Sequence, residues 1–340
     1  MRKLASIQQV RSIEPIAGAD AIELARINGW QCVVKKGEFR PGELGVYLEI
    51  DSVPPETAAF SWLWRPKDAV EAPPRPAKTR IKTLRLRGVL SQGLLLPLGA
   101  VGVSLSNPAE GDDLTEKLGV TKYEPPAPSG MGDYRAPFPG IVPKTDEMRV
   151  QSFPELLNEM KGRAFTATVK VDGTSATFIN LDGDFHVCGR NHSIVDGENL
   201  YWYVAKKHKL QEVLADRPNL AIQGEVVGPG IQKNALGLKD KTLFVFNIYD
   251  AVASRHYSDA ELRAFCADHK LTPVPVAFAG NSFDETVESL LAKAEGVYDG
   301  TKNEREGVVV RPVETIGSTI LCGRFSFKAI SNRFLLKEKD

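Results

Sequence analysis

The strongest constraint on the fold is a series of short alternating segments in roughly the first 105 residues. Apolar and polar residues alternate in segments such as Ala21 to Ile27, Trp30 to Lys35 and Gly45 to Ile50, and Gly, Pro and Asp turns separate them. A period of two is typical of a half-buried strand. Many short strands with tight turns predict a small N-terminal β-barrel.

A stretch rich in Pro, Gly and charged residues follows between Asn107 and Pro143. Such composition is typical of a connection between domains. We therefore predict a first domain at 1–125, a linker at 126–143 and a second domain at 144–340. The chain has 340 residues, 42% of them hydrophobic, which is enough for two separate cores.

Strand patterns and helix-start patterns are mixed in the second domain. Three Ser and Glu pairs have capping-box spacing: Ser152 with Glu155, Ser258 with Glu261, and Ser282 with Glu285. The turn Asp182-Gly183 is a hairpin signal. Strands are predicted at Ala164 to Val171, Thr174 to Asn180, Phe185 to Arg190, Leu220 to Val227, Leu243 to Tyr249, Gly307 to Arg311 and Ile320 to Phe327. This pattern favours an α+β domain with antiparallel sheets.

Composition excludes several classes of protein. Forty-three basic residues balance forty-three acidic ones, so contact with nucleic acid must depend on a local patch. The four cysteines lie far apart, which predicts neither a disulfide framework nor a zinc site and fits a reducing cytoplasm. The N-terminus does not resemble a signal peptide, and the most apolar window, Gly88 to Leu105, is interrupted by Gln92 and Pro97. We therefore expect a soluble, cytoplasmic protein.

One local basic patch is present. The segment Arg75 to Arg87 contains no acidic residue and alternates basic with apolar side chains. Binding of a phosphate backbone by a barrel strand is one interpretation, and a solvated edge strand protected by charge is the other. The residues predicted to bind nucleic acid are Arg80, Lys82, Arg85 and Arg87.

The tetrapeptide Lys170-Val171-Asp172-Gly173 ends an alternating segment. Thr168, Lys170 and Asp172 therefore share one face, opposite Val169 and Val171. A lysine at a strand end beside a carboxylate suits a nucleophile, although such a tetrapeptide occurs by chance in about a tenth of chains of this length. An exposed lysine and aspartate before a hairpin is the alternative.

Four further features lie on later strands. Glu225 is a carboxylate inside an apolar strand, where an unpaired charge would be unfavourable. Phe244 and Phe246 share one side of their strand, where they either stack on a purine or belong to the core. Glu306 and Lys328 flank apolar segments, as functional residues or as ordinary strand ends.

The order of Lys170-x-Asp-Gly, Gly224-Glu225, Phe246-Asn247, Glu306-Gly307 and Phe327-Lys328 resembles the motifs of covalent nucleotidyltransferases. That superfamily includes DNA ligases, RNA ligases and mRNA capping enzymes. Segments 144–151, 188–191 and 224–232 are similar to nick-sealing RNA ligases, and the barrel with Ser91-Gln92-Gly93-Leu94 resembles the Deinococcus-type branch. Over essentially the whole chain, the resemblance implies an OB fold followed by an ATP-grasp-like ligase catalytic domain.

The resemblance also implies roles for individual residues. Lys170 would take AMP, Lys328 would hold the α-phosphate, and Arg190 would contact a phosphate or the incoming 5′ end. The ATP-binding set would be Lys170, Arg149, Glu225, Phe246 and Lys328, with Phe244 remaining an alternative stacking residue, and Glu225 and Glu306 would support Mg²⁺ or Mn²⁺. The family pattern has a second lysine where this chain has Ile330; Arg324, Arg333 and Lys337 are candidate replacements.

The expected function is therefore that of an ATP-dependent RNA ligase that seals nicks in RNA or RNA/DNA duplexes during RNA repair. The sequence does not determine the oligomeric state, and a monomer is favoured. For Lys170 to attack phosphorus, its pKa must be lowered from an ordinary value near 10.4, and nearby Lys328 and a cation would do this. DNA ligases and capping enzymes are disfavoured because their OB domain usually follows the catalytic lysine, whereas twelve residues follow Lys328 here. A non-catalytic OB-fold RNA-binding protein is the alternative from another class.

Overall fold

The chain, described by a computed structural model at residues 2–124 and 130–337, forms two compact units. The first unit contains residues 1–125, 151–154 and 335–340, and the second contains 126–150 and 155–334. Short segments from the predicted second domain therefore belong to the first unit.

The described part of the predicted linker, 130–143, belongs to the second unit. Tyr134–Pro137 is a strand that pairs with His192–Ile194. Val142 is buried and packs with Ile179 and Ala221. The Pro and Gly content of this stretch therefore reflects turns around a short strand, and part of the predicted linker, 125–129, lies outside the described residues.

The first unit is built from short antiparallel strands. Its β-sheets have the strand orders β1-β5-β9, β2-β3-β4, β10-β6 and β7-β8. Alternate residues of the predicted strand at 30–35 are buried, as a period of two requires. The elements are β1 Ala5–Gln9, β2 Ser12–Pro15, β3 Ile22–Ile27, β4 Trp30–Lys35, β5 Leu44–Leu48, β6 Ser52–Val53, β7 Thr83–Leu86, β8 Val89–Gln92, β9 Leu94–Pro97, α1 Thr115–Leu118 and β10 Thr121–Lys122, with 3₁₀ turns at Ser61–Leu63 and Leu98–Val101.

The second unit contains two larger sheets. The strands are β11 Tyr134–Pro137, β12 Met148–Arg149, β13 Phe165–Lys170, β14 Thr174–Leu181, β15 Asp184–Cys188, β16 His192–Ile194, β17 Leu220–Val227, β18 Thr242–Asp250, β19 Arg255–His256, β20 Thr272–Pro273, β21 Val276–Gly280, β22 Gly307–Pro312, β23 Gly317–Ser318, β24 Gly323–Arg324 and β25 Phe327–Ile330. The helices are α2 Leu156–Met160, α3 Leu200–Lys207, α4 Leu210–Leu214, α5 Asp259–Asp268 and α6 Val287–Ala294. The 3₁₀ turn Val150–Ser152 and helix α7 Asn332–Lys337 each begin in the second unit and end in the first.

The eight-stranded sheet has the order β11-β16-β15-β14-β17-β18-β19, with β20 beside β18, and the five-stranded sheet has the order β12-β25-β22-β13-β21. Pairing is antiparallel except for β12 with β25 and β18 with β20. The α+β architecture with antiparallel sheets is thus confirmed. The prediction of one strand at 320–327 is wrong, since this region contains the two-residue strand β24 and then the start of β25.

Alternation along β17 separates the core from the site. Ile222 and Val226 belong to a core that includes residues of α3, α4 and α5. Gln223 and Glu225 therefore lie on the opposite face. Two helices of this unit begin at a capping box: Ser258 forms the predicted one with Glu261, whereas α6 is capped by Thr286 rather than Ser282.

The third predicted capping box does not form either. Helix α2 begins at Leu156 without a side-chain cap. Ser152 belongs to the first unit, where its hydroxyl donates to Glu49 at 2.5 Å. Among the described residues, no helix is long and apolar enough to cross a membrane.

Candidate active site

Lys170 is the last residue of β13, and its neighbours fix its direction. Val169 and Val171 pack with Val227 and Val274 on the apolar side of the strand end. Because side chains alternate along a strand, Lys170 points to the other side. The local sequence therefore places an amine at the edge of a core rather than on an open surface.

Two glycines allow the strands around Lys170 to approach closely. Gly173 does not need a positive φ; instead, a Cβ there would lie 2.4 Å from the carbonyl oxygen of Val226. Gly307 pairs with Lys170 and has a φ of +156°, and its Cβ would lie 2.2 Å from the carbonyl oxygen of Ala329. A side chain at either position would push the neighbouring strand away from the lysine.

The Lys170 ammonium forms an ion pair with Glu306. The distance from Nζ to the carboxylate is 2.7 Å, and both side chains are largely buried. Burial lowers the pKa of Lys170, but the charges of Glu306 and Glu225 raise it more, so that it lies above its ordinary value. The predicted downward shift is therefore wrong for the protein alone, because two carboxylates outweigh burial.

Glu225 is the second carboxylate at this position. Burial raises its pKa to about 8, and the like charges of Glu306 and Asp172 add to this, while Lys170 and the Gly173 amide oppose it. The site thus concentrates negative charge in a desolvated place. A carboxylate in such surroundings gains from any additional cation.

Lys328 lies on β25, the neighbour of β22 on the side away from β13. Burial lowers its pKa to about 7, and the positive charges of Lys170 and Arg149 lower it further, against Glu306 and Asp146. Arg149 is buried, and it lies opposite Lys328 in the backbone register of the parallel strands β12 and β25. The three predicted cations are thus electrostatically coupled, in a region suited to an anion.

Arg190 is linked to this region through Asp146. Its guanidinium donates to both carboxylate oxygens of Asp146, at 2.8 and 3.0 Å. Asp146 in turn acts on the charge of Lys328. Arg190 therefore belongs to the outer, more exposed part of the site.

Both candidate stacking residues lie near the site. Phe244 pairs with Glu225 across β17 and β18, and Phe246 is the extra residue of a β-bulge. Both are partly buried beside Val171 and Val227. Their shared location keeps the choice between Phe244 and Phe246 open.

The position of the absent second lysine is filled by a buried residue. Ile330 pairs with Gly307, in the same row as Lys170. Of the candidate replacements, Arg324 donates to Asn247 at 2.7 Å and Arg333 pairs with Glu295 at 3.0 Å. Lys337 belongs to the first unit.

Sequence patterns gave no indication of Tyr298. This residue lies in a turn before β22 and is buried, with its hydroxyl against the backbone of Lys170, Asp172 and Glu306. A single aromatic residue in a loop has no periodicity that would reveal such a contact.

The predicted nucleic-acid-binding residues of the first unit have different environments. Arg80 has a largely buried side chain that pairs with Asp51 and lies over the ring of Tyr123. Arg85 and Arg87 are exposed on the β7–β8 hairpin. Lys82 lines a cleft of about 310 Å³ with Arg80, Arg85, Ile50, Asp51, Thr83, Leu84, Leu335 and Leu336.

Comparisons with known proteins match this arrangement. An OB-fold domain model matches residues 4–98, and an RNA ligase family model matches residues 163–330. Structures of Naegleria gruberi RNA ligase with PPi, and of its variants with ATP and Mn or with AMP and Mn, are 38% identical to this chain, cover 100% of both chains and have TM-scores of 0.88. A comparison with curated proteins gave no match.

An OB-fold unit together with an antiparallel α+β ligase unit defines a ligase, as predicted. The chain belongs to the RNA ligase family. The family match supports an RNA ligase over the alternatives of a DNA ligase or a capping enzyme.

Proposed function

We propose that this protein is an ATP-dependent RNA ligase that forms a covalent lysyl-AMP intermediate at Lys170. One observation carries the proposal: the Lys170 amine lies at a strand end, 2.7 Å from Glu306 and within the field of Glu225. An amine held in place beside carboxylates suits a nucleophile that acts on a phosphate with a bound cation. The related Naegleria ligase, solved with ATP and with AMP, supports adenylate as the transferred group.

The reaction has three displacements at phosphorus. The Lys170 nitrogen forms a bond to the α-phosphorus of ATP, loses its proton to solvent, and pyrophosphate leaves. An oxygen of a 5′-phosphate end then takes the AMP, which breaks the N–P bond and restores the lysine amine. The 3′-hydroxyl oxygen of the other RNA end finally attacks that 5′ phosphorus, and AMP leaves.

Positioning and charge neutralisation dominate such chemistry. Lys328 would hold the α-phosphate, Arg149 would contact ATP, and Arg190 would contact a phosphate or the 5′ end. Burial and the positive charges of Lys170 and Arg149 lower the pKa of Lys328 in the protein alone. The negative charge of a bound phosphate raises this pKa, so this lysine becomes charged when it is needed. Either Phe244 or Phe246 would stack on adenine.

The carboxylates fit a divalent cation that arrives with ATP. Among the described residues no three His, Cys, Asp or Glu side chains form a preformed metal site. Mg²⁺ is commonly bound by one or two carboxylates together with substrate phosphates, and Glu225 and Glu306 supply these. Mg²⁺ or Mn²⁺ there supplies positive charge that offsets the phosphates and the two carboxylates. When the carboxylate charges that raise the pKa of Lys170 are offset in this way, the effect of burial, which lowers this pKa, is left.

The proposed substrate is a nicked duplex of RNA or of RNA and DNA, as in the Deinococcus-type branch that the sequence resembles. Nick sealing would place the protein in RNA repair. Arg85 and Arg87 are exposed basic residues that suit contact with a duplex backbone. Sealing of nicks with ribose or deoxyribose on the 3′-hydroxyl side, compared with joining of single-stranded ends, tests this substrate class.

Incubation with ATP labelled at the α-phosphate tests the covalent step. The protein should acquire a label through a phosphoramidate bond, which withstands alkali and is cleaved by acid. Lys170→Ala should acquire none, whereas Lys161→Ala, an exposed lysine of the same unit, should be labelled normally. Labelling of the Lys170 variant, or salt-dependent RNA binding without any labelling of the normal protein, would contradict the proposal.

A further inference from the structure

A single buried hydroxyl connects the two parts of the candidate active site. The Tyr298 hydroxyl accepts from the Asp172 amide at 2.9 Å and from the Glu306 amide at 3.2 Å. It donates to the carbonyl oxygen of Lys170 at 3.2 Å. A phenolic hydroxyl has one donor and two acceptor positions, so these three bonds use its full capacity.

The turn that carries Tyr298 is fixed from several sides. Its amide donates to the carbonyl oxygen of Asn303 at 2.9 Å, and its carbonyl accepts from Thr301. The guanidinium of Arg305 donates to the carbonyl oxygens of residues 293, 294 and 295 at the end of α6. Tyr298 thus extends from a turn that has its own hydrogen bonds, and Arg305 also ties this turn to the end of α6.

We propose that Tyr298 is a positioning residue that sets the separation of the Lys170 amine from the Glu306 carboxylate. The inference rests on the proposed lysyl-AMP chemistry. The backbones of Lys170 and Asp172 lie at the end of β13, and Glu306 immediately precedes β22. The Tyr298 hydroxyl fixes both at the point where regular pairing of these strands ends. It does not touch the reacting atoms and acts through the residues that do.

Tyr298→Phe keeps the ring and removes the shared oxygen. A small displacement of a reacting group can slow catalysis by about a hundredfold, so we expect adduct formation at saturating ATP to slow by about 10- to 100-fold. The ATP concentration that gives the half-maximal rate should change less than about threefold, because all three hydrogen bonds join the hydroxyl to backbone groups and not to the side chains that would bind ATP. A merely structural role would not separate these two parameters.

Tyr47→Phe is the matched control. Tyr47 is equally buried, and its hydroxyl donates to the carbonyl oxygen of Gln92 at 3.1 Å in the first unit. It should lower the melting temperature by a similar amount and leave the rate of adduct formation unchanged. Equal rates for both variants would overturn the inference, whereas absence of adduct in the unsubstituted protein would overturn the proposed function instead.

Arg305→Ala provides a second test if Tyr298→Phe does not fold. This change loosens the turn from α6 and leaves the hydroxyl in place. It should lower the same rate at saturating ATP by about three- to tenfold, with the half-maximal ATP concentration again nearly constant. An unchanged rate in a folded Arg305→Ala protein would count against a positioning role of the turn.

Discussion

The site of the second unit and the basic hairpin of the first unit use charge in different ways. Around Lys170 the charges are buried and each acts on its neighbours, so that the pKa values of Glu225 and Lys328 move far from their ordinary values. On the β7–β8 hairpin, Arg85 and Arg87 are exposed. Water screens such exposed charges strongly.

The contrast predicts which substitutions alter chemistry and which alter binding. Removing a buried charge leaves its partner uncompensated in a region of low dielectric constant, with large effects on rate or stability. Removing an exposed charge changes only a local attraction to phosphate. Substitutions around Lys170 should therefore affect adduct formation, and substitutions on the hairpin should affect RNA binding.

Glu306→Gln should have the largest effect. It removes the charge that holds the Lys170 ammonium and a predicted ligand of the cation, so adduct formation should slow by about 10²- to 10³-fold. Because the Glu306 charge raises the pKa of Lys170, the remaining activity should rise at a lower pH than in the unsubstituted protein. The rate of labelling from pH 6 to pH 9 measures both effects.

Glu314→Gln is the control for this substitution, since Glu314 is exposed on the same unit. Its pH profile should be that of the unsubstituted protein. A Glu306→Gln rate within threefold of normal would show that the ion pair with Lys170 has no part in the reaction.

Glu147→Gln should have the next largest effect, on stability. Glu147 pairs with Arg311 at 2.9 Å, and both side chains are largely buried. Arg311 also donates to Ser326 and to the carbonyl oxygen of Phe246. Loss of the carboxylate leaves a buried guanidinium without its counter-charge, so the free energy of unfolding should fall by about 3 kcal/mol.

Urea unfolding measures this loss, with Asp184→Asn as the control. Asp184 forms a more exposed pair with Arg135 at 2.7 Å. Its removal should lower the free energy of unfolding by about 1 kcal/mol or less. Equal losses in the two variants would mean that burial of the Glu147 pair has no energetic consequence.

Much of the fold was predictable from local patterns. Period-two alternation located Trp30–Lys35 to the residue, because burial on one face of a strand leaves that signature in the sequence. The apolar character of Leu220–Val227 also located that strand to the residue, and it is buried on both faces. The Asp182-Gly183 hairpin is also confirmed, with both residues at positive φ. The capping-box pattern succeeded at Ser258 alone, because spacing without tertiary context does not determine where a helix begins.

The site was less predictable, since its electrostatics depend on contacts distant in sequence. Lys170 and Glu306 are 136 residues apart and meet through pairing of β13 with β22. The direction of the Lys170 pKa shift in the protein alone depends on that pairing and is upward, whereas the predicted downward shift included a bound cation. The Tyr298 hydroxyl forms its hydrogen bonds at the site with backbone groups of Lys170, Asp172 and Glu306, and backbone partners leave no side-chain motif in the sequence.

The raised pKa of Glu225 predicts a smaller effect, which concerns the pH dependence of cation binding. Its pKa is raised to about 8, so it is mostly protonated at pH 7 and must lose that proton to bind a cation. Apparent Mn²⁺ affinity, measured by titration without ATP, should therefore be about tenfold weaker at pH 7 than at pH 9.

The same shift sets the pH dependence of stability without cation. A carboxyl whose pKa is higher in the folded state than in the unfolded state favours folding at low pH, and this contribution disappears as pH rises through about 8. This loss begins above the ordinary pKa of a carboxyl and is complete slightly above pH 8, so Glu225→Gln should abolish the part of the stability loss between pH 5 and pH 8 that Mn²⁺ reverses. A Glu225→Gln protein that still shows this loss in thermal unfolding would exclude Glu225 as its source.

The smallest effect is expected at the hairpin of the first unit. Arg85→Ala combined with Arg87→Ala should weaken binding of a nicked duplex by about fivefold, because two screened phosphate contacts are lost. The slope of log affinity against log salt concentration should fall by about 2. Adduct formation without RNA should remain within twofold of normal, since neither arginine belongs to the second unit.

Arg11→Ala combined with Arg40→Ala provides a matched loss of two basic residues elsewhere on the first unit. This control should leave the salt slope unchanged if phosphate binding is local to the hairpin. Equal slopes for the two double variants would instead mean that the net charge of the unit attracts RNA. A slower adduct formation in the hairpin variant would break the separation between the two regions, because an exposed charge in one unit would then affect buried chemistry in the other.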